Sequence, residues 1–319
     1  MKHWLGILCF FVLTSVAFAA PVERAILVRE ATIYLSPDTA SAKLAKAERG
    51  REVGILDKTR EYLHVFAMLG PGRPEVGEER GEDRAITGWI LDKGVIRTST
   101  PNGDKILFGE AADSEAEASR RGGRRGADKD AARLYARLAE YFPKSEYAGE
   151  AAWRSADVRW QLDREDMMSR KSSKERDPYM RSGISEEAMH EVMKKFPNTK
   201  WADLAAFDMI DNKLCGDWQG SVKCPEKESE IYEDYMKKHP NSPKFGEALY
   251  DAAWRQATLV DIYRGNGDAA KSAAAKQKAM SMAQSLAVRT GDQIDWPARG
   301  ARLLYLLEQE IPIYGASLE

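Results

Sequence analysis

Histidine and cysteine are scarce in this 319-residue chain, with four of the first and three of the second. That scarcity removes most metal and nucleophile chemistry, because a zinc centre needs several Cys or His at close spacing and a thiol enzyme needs a histidine beside its cysteine. No Gly-rich phosphate loop is present either. Charge of one sign is equally lacking: 48 Lys and Arg stand against 50 Asp and Glu, so there is no basic field to hold nucleic acid. Long apolar runs are also missing. The run from Trp4 to Val16 would cover about 20 Å as a helix, against a hydrocarbon core of roughly 30 Å.

That short run reads instead as the core of an export signal over residues 1–19. Lys2 and His3 precede it, and Ala17-Phe18-Ala19 supplies a small-x-small cleavage site. Pro21 disfavours a cut directly before itself, which places the cut after Ala19. Leu8 stands where a lipid-anchor motif needs a small residue before Cys9, so no lipoprotein is expected. Removing the leader takes away Lys2, moving the formal net charge from -2 to -3. It also takes away Cys9, leaving Cys215 and Cys224 as an even pair in an oxidising compartment, where a disulfide is the expected state. A periplasmic or secreted chain with no transmembrane segment after cleavage follows as the expectation.

About 300 mature residues suit two or more domains. From residue 22 to 98 the texture is that of short strands, at 25–28, 32–35, 52–56, 62–66 and 86–91, punctuated by Ser36-Pro37-Asp38, Arg49-Gly50 and Asp57-Lys58. Five strands at this spacing suggest a small barrel. The landmarks Ile33 to Pro37, Leu44, Gly50-Arg51-Glu52-Val53, Tyr62 through Val65 and Gly88-Trp89-Ile90 resemble the bacterial SH3 family. Tyr34 and Tyr62 depart from it, standing where Arg and Trp are common. The resemblance implies a module that contacts cell-wall peptides or proteins. Tyr34 and Trp89 are candidates to line a groove for an extended ligand. For Trp89 a core position is favoured, since large aromatics are highly buried on average. A charged insertion from Gly70 to Arg84 is read as a solvated loop.

Residues 99–104 read as a linker, and from residue 105 to 319 helical spacing takes over. Three segments share one pattern: an amphipathic helix, an aromatic or His before Pro, a Ser or Thr two residues after that Pro, then a helix rich in small residues. The shared elements are Phe142-Pro143-Lys144-Ser145, Phe196-Pro197-Asn198-Thr199 and His239-Pro240-Asn241-Ser242. Proline disfavours helix at the residue before it, so the first helix must stop there. Ser145, Thr199 and Ser242 are then expected as N-caps of the second helix, with Pro243 at its first position. These residues resemble tetratricopeptide units of envelope proteins, such as outer-membrane-assembly lipoproteins and coordinators associated with Tol and Pal. The prolines lie 54 and then 43 residues apart, longer than the about 34 of an uninterrupted unit. The surplus is most visible from Arg164 to Gly183, where Arg170 to Pro178 reads as an exposed loop or frayed helix end. Helices from Asp268 to Val288 and from Ala298 to Glu310 are expected to close the stack.

The fold expectation is therefore an α+β multidomain chain, a small SH3-like β-barrel followed by a tetratricopeptide-like α-helical solenoid. Arg120, Arg121, Arg124 and Arg125 form the densest charge run. They are a candidate dock for an acidic partner, but read first as a solvated connection offset by Glu110, Asp113, Glu115 and Glu117. His190 and His239 lie on repeat helices and read as structural; His64 is expected to face solvent. No catalytic residue, metal or cofactor is assigned. The expected function is a non-enzymatic envelope adaptor that binds a protein or peptide partner, with peptidoglycan as a second ligand. A cell-wall hydrolase or its activator, and a self-assembling structural subunit, are the alternatives.

Overall fold

The computed structural model of the chain describes residues 23–70, 83–289 and 295–315. The expected leader, and residues 71–82 of the charged insertion, lie outside the described residues. Contacts divide the chain into two compact units, 1–47 with 51–97 and 48–50 with 98–319.

The first unit is a seven-stranded sheet with the order β3-β2-β6-β5-β4-β1-β7. Its strands are β1 (Glu23–Leu27), β2 (Ala31–Tyr34), β3 (Lys43–Ala47), β4 (Glu52–Lys58), β5 (Tyr62–Leu69), β6 (Arg84–Leu91) and β7 (Val95–Arg97). All the pairings are antiparallel. Strict alternation decides the faces: Leu63, Val65, Ala67 and Leu69 of β5 are buried, while Tyr62, His64, Phe66 and Met68 between them are not. Ala25, Ile33, Val53, Leu63 and Ile90, from five strands, share one core, so the sheet curls around its own inner face. It does not close. β3 and β7 end the strand order, and no ladder joins them among the described residues, which makes the expected barrel an open, curled sheet. Those two edges are also the strands that the alternation pattern misses. β3 reads Lys-Leu-Ala-Lys-Ala, without the β-branched or aromatic content that marks a strand, and β7, Val-Ile-Arg, is too short at three residues to show alternation. Lysines on a short edge also discourage pairing with another chain.

The second unit pairs antiparallel helices in chain order. They are α1 (Gly103–Ser119), α2 (Ala127–Tyr141), α3 (Ala148–Met168), α4 (Glu187–Lys195), α5 (Lys200–Asp208), α6 (Lys223–Lys238), α7 (Phe245–Gly265), α8 (Ala269–Ala287) and α9 (Trp296–Glu308). Helix α1 begins inside the expected linker, behind Asn102 in the left-handed conformation. The Pro rule is visible in the backbone. Phe142, Phe196 and His239, each just before Pro, end α2, α4 and α6 in one conformation, with φ/ψ of -126/57°, -126/54° and -128/58°. Each also donates its N–H to the carbonyl four residues back.

The caps behave less uniformly. Thr199 caps α5, accepting from the Ala202 N–H. Ser145 and Ser242 do not cap: α3 and α7 begin at Ala148 and Phe245, and each serine instead accepts from the N–H two residues on. Their hydroxyls are engaged elsewhere, Ser145 with Asp104 at 2.7 Å and Ser242 with the Tyr235 hydroxyl at 2.6 Å. Pro243 consequently sits in the connecting turn and not at the first helical position. Asp268 caps α8 as expected, its carboxylate accepting from the Lys271 N–H at 3.0 Å. Helices α8 and α9 meet closely, since a Cβ on Gly300 would stand 2.7 Å from the Ala283 carbonyl oxygen.

Candidate functional site

Helix length governs where the second unit opens. Helix α4 has 9 residues, against 15 in α2 and 16 in α6. It starts only after the long excursion that follows α3. The result is a groove of about 1010 Å³ between α2, α3 and α4. Its floor is made of small residues, Ala136 and Ala139 from α2 and Ala152 and Ala156 from α3, with Ala188 and Val192 of α4 and Phe196 just after it opposite. The Ala-rich face of α3 is left uncovered here and leaves room for something else. Glu140, Asp163, Glu187 and Glu191 on its walls outnumber Arg159 and Lys195, so the walls are acidic.

One residue lining this groove keeps a buried polar atom that has no partner among the described residues. Trp160 lines it and is 4% exposed, and its indole N–H finds no acceptor. A buried donor without a partner costs roughly 1–3 kcal/mol. The other indole on α3 is treated differently, for Trp153 donates to the Asp208 carboxylate at 3.0 Å and ties α3 to α5. Burial pushes the Asp208 carboxyl up to about 7, and the nearby Asp157 charge adds to that, against the opposing pull of the Trp153 N–H. Close packing beside this contact is enforced at Gly149, where a Cβ would lie 2.6 Å from the Trp201 ring.

On the sheet, register places Tyr34 of β2 beside Trp89 of β6, and Trp89 beside His64 of β5. All three stand on the face opposite the core. Trp89 is half-buried there, which corrects the favoured core position. The reason is pleat parity: Gly88 and Ile90 point inward, so Trp89 must point outward. His64 is not free in solvent, since its ring stacks on Trp89 with centroids 4.7 Å apart. Gly88 makes the row possible, because a Cβ there would come within 2.6 Å of both the Ile33 side chain and the Tyr34 carbonyl oxygen. Phe66 and Met68 continue the same face, 40% and 44% exposed.

The arginine run forms the turn between α1 and α2. Arg120 pairs with Glu117 at 3.1 Å and Arg124 with Asp130 at 2.5 Å, while Arg121 and Arg125 are exposed. Cys215 and Cys224 form a disulfide, with Cα atoms 6.0 Å apart. No free thiol therefore faces a histidine among the described residues. His239 bonds Asp203 through Nδ1 at 2.7 Å, and His190 lies near Glu186. No group of three or more His, Cys, Asp or Glu that would hold a metal occurs among the described residues. No described helix is long and apolar enough to cross a membrane. The groove and the orphan indole went unnoticed in the sequence. The available signal was the nine-residue helix between the insertion and Pro197.

No family model and no curated protein matches the chain. Among solved structures it is similar to the DHF79 filament, at 15% identity over 63% of this chain and 95% of that one, with a TM-score of 0.21. It is also similar to the de novo designed helical repeat protein DHR64, at 16% identity over 65% of this chain and 92% of that one, with a TM-score of 0.23. Likeness this distant carries no argument, and the repeat architecture rests on the helix pairs themselves.

Proposed function

We propose that this chain is an exported, non-enzymatic adaptor of the cell envelope whose groove between α2 and α4 takes a segment of a protein partner. The observation that carries this reading is the open groove with a small-residue floor and acidic walls. A partner with a small apolar face and basic flanks would match both the floor and the walls of the groove. On this reading the first unit is an SH3-like module, and the Tyr34–Trp89–His64 row offers flat apolar surface for contact with cell wall or protein. Placement in the periplasm or outside the cell rests on the expected leader, and the disulfide supports it.

A photo-crosslinking residue at Ala152, introduced in the native envelope, tests the proposal. A discrete adduct is expected, and it should vanish when Ala188→Arg fills the facing wall. Absence of any adduct at Ala152, or an adduct insensitive to Ala188→Arg, would overturn the groove as the partner site.

A further inference from the structure

Two segments that stand far apart in the chain, the insertion after α3 and the disulfide loop before α6, meet in space. Far from being a free loop, the insertion folds into two single 3-10 turns, Lys171–Lys174 and Pro178–Met180, with Ser173 only 3% exposed. The disulfide loop docks on it so closely that a Cβ on Gly216 would stand 2.7 Å from the Glu175 carbonyl oxygen. On the other side the loop is anchored from within. The carboxylate of Glu228, 1% exposed, accepts from the Cys215 N–H at 2.8 Å and the Trp218 indole N–H at 3.1 Å, and pairs with buried Arg255 at 3.1 Å.

Between insertion and loop lies a pocket of about 270 Å³ with the cystine in its wall. Arg176, Lys223 and Lys227 contribute three cations to its lining against a single carboxylate, Asp177. That carboxylate is already engaged, capping the Tyr179 N–H at 3.0 Å. Among the described residues no acid pairs with any of the three cations. Lys227 lies over the Tyr179 ring at 4.9 Å, and Tyr179 itself is 86% exposed. Lys223 and Lys227 are four apart on α6, so their like charges oppose one another on one helix face. They do so at the N-terminal end of a 16-residue helix, where the backbone dipole adds further positive potential. Three cations without an acidic partner among the described residues thus line one cavity, whose wall the disulfide and the buried Glu228–Arg255 pair fix.

We infer that this pocket binds the carboxylate or phosphate group of a small organic anion, with Arg176, Lys223 and Lys227 as its ligands and Tyr179 covering the body of the molecule. The site shares no residue with the α2–α4 groove and stands or falls separately from it.

Titration of the purified full chain with inorganic phosphate, with succinate and with uncharged glycerol, followed by calorimetry or by amide chemical shifts, tests the inference. Saturable binding is expected for phosphate, succinate or both, and none for glycerol; which anion binds tells phosphate from carboxylate recognition. The exposed double reversal Lys223→Glu with Lys227→Glu should weaken it by about tenfold or more while leaving the far-UV spectrum intact, because charge-assisted hydrogen bonds are removed. Neither anion binding, or binding that survives the charge reversal in a folded protein, would overturn it.

Discussion

The second and third helix pairs obey the same local rules and end up in opposite states. In α6 and α7 the pairing is dense. Helix α7 is buried almost all round and carries Asp251 and Arg255 inside, with Glu228 of α6 as the matching acid. In α4 and α5 the helices are short, few of their residues are buried, and the flank toward α2 is open. The difference teaches that the proline-and-turn element specifies pairing but not coverage. Coverage depends on how much helix precedes the proline, and a short first helix leaves its neighbour's Ala face unfilled.

The buried charges give the strongest way to break the contrast. Glu228→Leu removes one of the two acids paired with Arg255, leaving Asp251, and takes the acceptor from two buried N–H groups. The expected loss is about 3–5 kcal/mol in urea-induced unfolding, with adducts at the groove changed much less than stability. The disulfide comes next. Replacing Cys215 and Cys224 by serine should lower stability by at most roughly 3 kcal/mol, because a short loop of the unfolded chain is no longer closed. A change under a few tenths of a kcal/mol would show that the Glu228 contacts alone hold the loop.

Asp208 sharpens the comparison through pH. Its carboxyl is raised from 3.8 to about 7 in the folded chain, so the folded state holds its proton more tightly than the unfolded state does. The associated stability is fully present below pH 3.8, declines as pH rises through that window, and is gone above about 7. Asp208→Asn should therefore flatten the pH profile of unfolding between those limits. At pH 7 it should stabilise by on the order of 1 kcal/mol once solvent screening of this half-buried group is allowed for. A profile identical to the parent would rule out a raised Asp208.

The smallest effect is expected in the groove itself. Trp160→Phe removes a buried donor that bonds nothing, so the roughly 1–3 kcal/mol recovered offsets the packing lost with the larger ring, and the pH profile should stay that of the parent. The matching change Trp153→Phe strips the donor from Asp208 and should move the pH profile instead. If the two substitutions behave alike, the distinction between the paired and the orphan indole fails.

Much of this was legible in the residues. Pro143, Pro197 and Pro240 marked the ends of three helices, Asp268 marked the start of another, and alternation along Tyr62 to Leu69 marked a half-buried strand. Errors arose where a side chain had a second, distant option. Ser145 and Ser242 left the capping role because Asp104 and Tyr235 competed for their hydroxyls. Trp89 was placed by the parity of its strand and not by its size. The insertion, unremarkable in composition, acquired a role only where it met the disulfide loop.

By itself, then, the order of residues determined what neighbours along the chain decide: where helices stop and which strand residues share a face. Those outcomes follow from steric limits and hydrogen bonds spanning a few residues. Strand order, the open edges, the groove over Ala152 and Ala156 and the cationic pocket were decided only by the tertiary structure. Each depends on which surfaces remain uncovered once distant segments have packed, and no local rule carries that information.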